Sequence, residues 1–238
     1  TTRLEADHFI SSMPISTMVL HMVPPAPPAI QAAAKKLRYR EFIVVALIID
    51  GTDPFPDNWI YIHDPEVKAA RIQNFRSWSA DLVPEAGKSS IGMEYFCEEG
   101  DEMWGAADAD LIQLAAKEIE MLGLAKAASV TDGAVIRQRK AYPVYDDEYR
   151  EALNMIRGWL SDFRNLQVVG RNGMHSYNNM DHSVLTATLA VDNILGGAHD
   201  LWAVDVDQDH NEDVEASAEI KSETPSASQN AAPIREVA

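Results

Sequence analysis

The run Phe42-Ile-Val-Val-Ala-Leu-Ile-Ile49 carries no polar side chain at either parity. Successive side chains of a strand point to opposite faces, so this segment has two apolar faces to bury and predicts a central strand with a neighbour on each side. It falls far short of the roughly 20 apolar residues needed to span a bilayer. Four more segments rich in β-branched and aromatic residues read as strands: Trp59–Ile62, Arg71–Trp78, Ile91–Phe96 and Val130–Arg137. Pro and Gly punctuate the gaps between them, which predicts an antiparallel meander. Phe9-Ile10, ending at Ser11-Ser12-Met13-Pro14, reads as the end of a short buried strand, and Pro24-Pro-Ala-Pro-Pro28 as a stiff connector into a helix around Ile30–Leu37.

Helical periodicity appears in three later segments. Leu111, Ala115, Ile119 and Leu122 form one stripe behind an acidic first turn at Asp108 and Asp110, with Gly123 as the stop. A second helix follows Asp146, with Tyr149, Leu153, Ile156 and Leu160 on its stripe. A third starts near Asp181, with Val184, Ala187, Val191 and Ile194 expected to face inward and Gly196-Gly197 closing it. No internal repeat is present.

Charge narrows the range of partners. Thirty-seven acids against twenty bases give −17 over 238 residues, a field that repels the phosphate backbone of nucleic acid and weakens attraction to anionic lipid. Nine acids and two bases fall between Asp205 and Ala238, so −7 of that charge sits in a tail too poor in bulky apolar residues to offset its ordering entropy, and disorder is expected there. Cys97 is the only cysteine, which rules out an internal disulfide and fits a reducing compartment. The polar start Thr1-Thr-Arg-Leu-Glu-Ala-Asp7 has no apolar signal-peptide core, so a cytoplasmic location is expected. The sequence has no initiator Met, which an expression product, a processed chain or a fragment would each explain.

Several common chemistries lack their motifs. There is no GxGxxG, P-loop, GxSxG, HExxH or CxxC, and His175 and His182 are spaced seven apart without a third ligand, so no metal site is expected. Two segments stand out instead. Arg137-Gln-Arg139-Lys140-Ala-Tyr142-Pro143-Val-Tyr145-Asp146-Asp147 sets three cations and two tyrosines at a strand end, an arrangement able to hold a phosphate or carboxylate. By composition alone it reads more readily as a solvated strand edge with core tyrosines. Asn165-Leu-Gln-Val-Val-Gly170-Arg171-Asn-Gly173-Met-His-Ser-Tyr177-Asn-Asn179-Met180-Asp181-His182 is an apolar strand, a glycine turn and a helix start, which together present backbone N–H groups and a positive dipole end to a pyrophosphate or ring edge. An ordinary strand-turn-helix capped by Asp181 reads equally well.

The pattern Gly170-Arg171-Asn-Gly173-x-x-x-Tyr177-x-Asn179-Met180-Asp181 resembles the C-terminal FAD-binding segment of UDP-galactopyranose mutases, Gly-Arg, Gly, two tyrosines, then Asp-Met-Asp. In the same order as in that family come Trp59-Ile-Tyr61 with Arg71-Ile72, and Tyr142-Pro143-Val144-x-Asp146. Phe9-Ile-Ser-Ser-Met-Pro14 resembles the strand that re-enters the FAD domain in the wider amine-oxidase and protoporphyrinogen-oxidase superfamily of flavoenzymes. The resemblance spans residues 7–197 and is most specific over 170–181.

What the resemblance implies is a set of expectations. Gly170, Arg171, Met180 and Asp181 would lie on FAD, and Arg71, Tyr142 and Tyr177 would line the pocket of a small-molecule substrate, possible classes including a nucleotide sugar. The fold class implied is α+β: an antiparallel substrate-domain sheet with helices, plus a returning strand and helix of a Rossmann-like FAD domain whose N-terminal βαβ unit is missing. The corresponding divisions are 1–14, the re-entering strand; 15–164, the substrate domain; 165–200, the FAD-binding strand-turn-helix; and 201–238, the acidic tail. The activity implied is that of the C-terminal portion of an FAD-dependent oxidoreductase, with a mutase-like isomerase or a non-catalytic chain as alternatives. His175 in place of the first tyrosine, Asn179 in place of the first aspartate and Tyr145 in place of a frequent Asn imply an altered substrate shell. A chain lacking the dinucleotide unit is expected to bind FAD weakly and to expose apolar surface around Phe9-Ile10 and Val168-Val169.

Overall fold

The computed structural model describes residues 4–204 apart from 53 and 84, so the acidic tail at 205–238 lies outside the described residues. The chain forms two compact units, one from Thr1–Arg38 with Tyr142–Ala238 and the other from Tyr39–Ala141. The first unit opens with β1 (Phe9–Ser11), α1 (Ile15–His21) and α2 (Pro28–Lys36). The second contains β2 (Tyr39–Asp50), β3 (Trp59–Tyr61), β4 (Arg71–Asn74), α3 (Phe75–Trp78), β5 (Lys88–Cys97), α4 (Glu102–Gly105), α5 (Asp108–Met121) and most of β6 (Val130–Pro143). The chain then returns to the first unit with α6 (Tyr149–Leu160), β7 (Leu166–Val168), α7 (Gly170–Met174) and α8 (Met180–Ile194).

In the second unit the strands lie in the order β3-β4-β5-β2-β6. The apolar run is central, as its composition requires, with β5 on one side and β6 on the other. The succession β3-β4-β5 is a true antiparallel meander, whereas β2 pairs antiparallel with β5 and so interrupts the simple order. Ile43, Val45, Leu47, Ile72, Ile91 and Met93 make the inner face, onto which α5 lays Leu111, Ala115 and Ile119. The other face of β2 is only half-buried, so the continuous apolar run does not reflect complete burial on both sides.

Among these apolar side chains Glu118 of α5 is buried and fully engaged. It accepts hydrogen bonds from the backbone N–H groups of Lys68 (2.7 Å) and Ala69 (3.2 Å) and from the Tyr95 hydroxyl (3.0 Å). A buried carboxylate is tolerated only when satisfied in this way, and here it ties the helix to the approach to β4 and to β5. Burial and the Glu118 charge push the Tyr95 hydroxyl well above its ordinary pKa. Burial, together with Asp101 and Glu41, raises the Cys97 thiol to about 11, so Cys97 is a packed, protonated core residue.

The expected strand Arg71–Trp78 stops at Asn74. The Asn74 side chain turns to accept from the Ser77 N–H (3.4 Å) and to donate to the Phe55 carbonyl (2.8 Å), capping α3 in place of continuing the sheet.

In the first unit β1 and β7 form a two-stranded parallel sheet, Phe9 against Leu166 and Ser11 against Val168. Packing of α2 on α6 buries one stripe of each, Ile30, Ala33 and Ala34 on the former, Ala152, Ile156 and Leu160 on the latter. Two expectations are corrected here. Val168 and Val169 are buried, because Val169 packs with Met174, Ala190 and Leu201, while Ile10 is 44% exposed. The inward stripe of α8 is His182, Thr186 and Ala190, leaving Val184 65% and Val191 45% exposed. The helix is rotated so that the Thr186 hydroxyl accepts the Gly170 N–H (3.2 Å) and donates to the Ser183 carbonyl (3.0 Å), a satisfied polar group taking a place that periodicity reserved for an apolar one.

Glycines in this unit differ in what they permit. A Cβ at Gly173 would lie 2.7 Å from the Ser11 carbonyl oxygen, a contact with backbone that cannot give way, whereas one at Gly158 in α6 meets nothing within 4 Å. Gly173→Ala is therefore expected to destabilise the unit by about 1–3 kcal/mol. Gly158→Ala should stabilise it by about 0.5–1 kcal/mol. Denaturant midpoints of the two variants, which should move in opposite directions, check both.

Candidate functional site

The turn from β7 into α8 carries the conspicuous glycine motif, and each of its residues has a definable task. Gly170 adopts φ +71, a left-handed conformation that breaks the strand and starts α7. One helical turn later His175, at φ +49, ends α7 and donates its N–H to the Arg171 carbonyl. This reversal lets residues 175–179 run back to the start of α8. Arg171 braces the loop, its Nε donating to the Asn178 carbonyl (2.9 Å) while its guanidinium lies over the Tyr142 ring at 5.2 Å.

An aromatic cluster gathers on this frame. Tyr142 lies 6.0 Å from Tyr177, and Tyr177 meets Tyr145 edge-on at 5.0 Å. Tyr145 stacks on Tyr149 at 4.5 Å, and the His175 ring is 6.3 Å from each of those two. The Tyr177 N–H donates to the Tyr145 hydroxyl (2.9 Å), so Tyr145 holds the backbone of Tyr177. Burial raises the Tyr145 pKa against opposing hydrogen bonds from Ser176 and Tyr177. Beside the cluster opens a cleft of about 890 Å³, walled by Tyr145, Tyr149, Arg157, His175, Tyr177 and Trp202. Its mixture of ring faces, hydroxyls and guanidinium groups suits a planar or polyhydroxylated ligand.

The structure thus brings Tyr142, Tyr177 and Arg171 together. Met180 and Asp181 stand at the first turn of α8, Met180 86% exposed and the Asp181 carboxylate 3.1 Å from His182 Nδ1. The Asn179 side chain does not cap this helix, so it leaves the first turn open to another acceptor. Gly170 spends its N–H on Thr186 and contributes conformation instead of a donor. Arg71 belongs to the other unit, on β4, where its guanidinium is ion-paired with the buried Glu94 carboxylate and lies 5.7 Å from the Tyr61 ring. Among the described residues no group of three or more His, Cys, Asp or Glu side chains could hold a metal, and no helix is long and apolar enough to cross a membrane.

Tyr149 and Trp202 were not singled out as site residues from the sequence, whereas Tyr145 and His175 were noted there as replacements that imply an altered substrate shell. Tyr142 lies at the end of β6, Tyr145 lies in the connection and Tyr149 opens α6, so no one backbone period relates the three.

No protein-family model matches this chain, and no curated protein does. Solved structures do. A crystal structure of reduced UDP-galactopyranose mutase matches with a TM-score of 0.72 and 21% identity over 84% of this chain and 43% of its own. A candidate protoporphyrinogen oxidase from Exiguobacterium sp. 255-15 matches with a TM-score of 0.60 and 14% identity over 79% of this chain and 41% of its own. The chain therefore shares the mixed helix-and-sheet fold of these proteins and spans less than half the length of either.

His175 supplies a test of the cluster. Burial lowers its pKa from 6.5 to about 4 against the raising influence of the Val144 backbone and Asp146. The folded state therefore holds the neutral ring while the unfolded chain takes up a proton near pH 6.5, so stability is full at higher pH and is lost as pH falls from about 6.5 towards 4. Relative to His175→Gln, the natural chain should lose about 2 kcal/mol more between pH 7 and pH 5. Urea unfolding of both proteins at the two pH values measures the difference.

Proposed function

We propose that this chain is the C-terminal portion of an FAD-dependent oxidoreductase of the amine-oxidase and protoporphyrinogen-oxidase superfamily. The observation that carries the reading is the brace of Arg171, Tyr142 and Tyr177 around the Gly170–Asp181 turn, within a fold matching two proteins named as a mutase and an oxidase. The two-stranded parallel sheet of β1 and β7 adds support, since parallel strands belong to larger, covered sheets and a pair of three-residue strands is marginal by itself. The reading requires a dinucleotide-binding unit supplied from outside residues 1–238. In it, residues 1–14 and 165–200 serve the FAD domain and residues 15–164 the substrate domain.

In this reading the exposed Met180 and Asp181 at the start of α8 would help hold FAD, and Gly170 would let the backbone approach it. A bound flavin supplies a hydride acceptor. Arg171 orients Tyr142, and Tyr142 with Tyr177 presents hydroxyls to the substrate, which is a small molecule. Buried His175 stays neutral and supports Tyr145 and Tyr149 by packing.

A mutase-like isomerase acting on a nucleotide sugar is the second reading, favoured by the higher TM-score of the mutase structure and by the resemblance of the Tyr142 and Tyr177 segments to that family's pattern. Exposure of the flavin-loaded assembly to UDP-galactopyranose under reducing conditions separates the two: a furanose product would establish the isomerase, and its absence leaves the oxidoreductase.

Residues 1–238 alone should purify colourless and retain little FAD on gel filtration. Coexpressed with the dinucleotide-binding unit, they should retain it. Stoichiometric flavin on residues 1–238 alone would mean that the cofactor is held elsewhere than proposed. In the loaded assembly Tyr177→Phe should weaken substrate binding by about 0.5–1.5 kcal/mol while leaving flavin content unchanged. Equal loss of both would remove Tyr177 from the substrate pocket.

A further inference from the structure

The cleft beside the aromatic cluster carries a charge opposite to that of the chain. Among the described residues Arg150 and Arg157 line it and no acid does, although the whole sequence carries −17. Seven positions apart on α6, the two arginines lie two turns apart on one face of the helix, with Asn154 between them in the same wall. Arg157 is already matched. Its Nη2 donates to both carboxylate oxygens of Asp200, at 3.0 and 3.3 Å, and its guanidinium lies 5.3 Å from the Trp202 ring. Arg150 is exposed, lies 5.7 Å from the Tyr149 ring, and has no carboxylate partner among the described residues.

The path of the chain beyond α8 leads to this opening. Asp200 accepts the Trp202 N–H (3.0 Å) while it pairs with Arg157, and Leu201 is buried in the cluster of Val169, Met174 and Ala190. One 3₁₀ turn, Leu201–Ala203, follows, and Ala203 and Val204 belong to the cleft wall. The sequence continues with Asp205, Asp207, Asp209, Glu212 and Asp213, five acids in nine residues without a Lys or Arg. An acidic run thus begins at the rim of a cleft that holds an unmatched cation, and no linker is needed to reach it.

We propose that the run 205–213 is the occupant of this cleft, its carboxylates pairing with Arg150 as Asp200 pairs with Arg157 two turns further along α6. A single exposed pair of this kind is worth little. Several acids tethered at the rim, however, act at an effective concentration of about a millimolar or more, so contacts too weak to hold a free peptide suffice. The chain thereby supplies its own competitor, because Tyr177 borders the same cleft and another anionic ligand must displace the run to enter. The proposal does not depend on the flavin reading.

Disulfide trapping in the full chain tests it. Asp209→Cys is combined either with Asn154→Cys, in the cleft wall, or with Met155→Cys, which faces the groove between α2 and α6. Both positions are exposed and lie almost equally far from 209 along the chain, and the natural Cys97 is buried. Only the direction in which the run lies distinguishes the two pairs. In a glutathione redox buffer the 154–209 disulfide should form at least tenfold faster than the 155–209 disulfide, as read by peptide mass spectrometry. Arg150→Glu, or 1 M NaCl, should bring the ratio below twofold. Equal rates for the two pairs, faster closure of 155–209, or a ratio that survives Arg150→Glu would overturn the proposal. So would disulfides formed mainly between chains, which would give the cleft to the acidic run of a second copy.

Discussion

The parallel pairing of Phe9–Ser11 with Leu166–Val168 is the constraint on which the first unit rests. It brings together strands from opposite ends of the described chain, so everything between residues 39 and 141 is an excursion that leaves this unit and returns. The pairing continues into the site. The Val169 N–H donates to the Ser11 carbonyl (3.0 Å), and α7 then presses Gly173 against that same oxygen, where no Cβ fits. With α7 located, the left-handed residues Gly170 and His175 set where the loop to α8 runs, and so where Tyr177 and Arg171 meet Tyr142.

Buried polar groups add specificity to both units. Thr186 selects the rotation of α8 by taking the Gly170 N–H, and Glu118 selects the seat of α5 by taking three donors at once. Each would be costly left unmet, so each excludes alternative packings that hydrophobic burial alone would permit.

Sheet strands and the longer helices were legible in the sequence because their burial follows the period of their backbone. The centre of the sheet was readable from Phe42–Ile49, and α5 from Leu111, Ala115 and Ile119 with its acidic first turn. The inward face of α8 was not, since Thr186 and His182 are polar residues whose burial depends on partners distant in sequence. The end of β4 was hidden for a related reason: Asn74 stops the strand by bonding to Phe55, which periodicity does not register. At the site, the Gly-Arg motif and its tyrosine were visible as a pattern, but the division of labour within it was not. Gly173 serves packing, Gly170 serves conformation, and Tyr145 supports the Tyr177 backbone, roles that only the folded contacts distinguish.

The central claim is that residues 170–181 form part of a flavin site. Photolabelling of the flavin-loaded assembly with an azido-FAD, followed by peptide mapping, examines it directly. Covalent flavin on the peptide containing Gly170–Asp181, suppressed by excess FAD, is the predicted result. Efficient, FAD-protectable labelling confined to other peptides, with 170–181 unmodified, would contradict it.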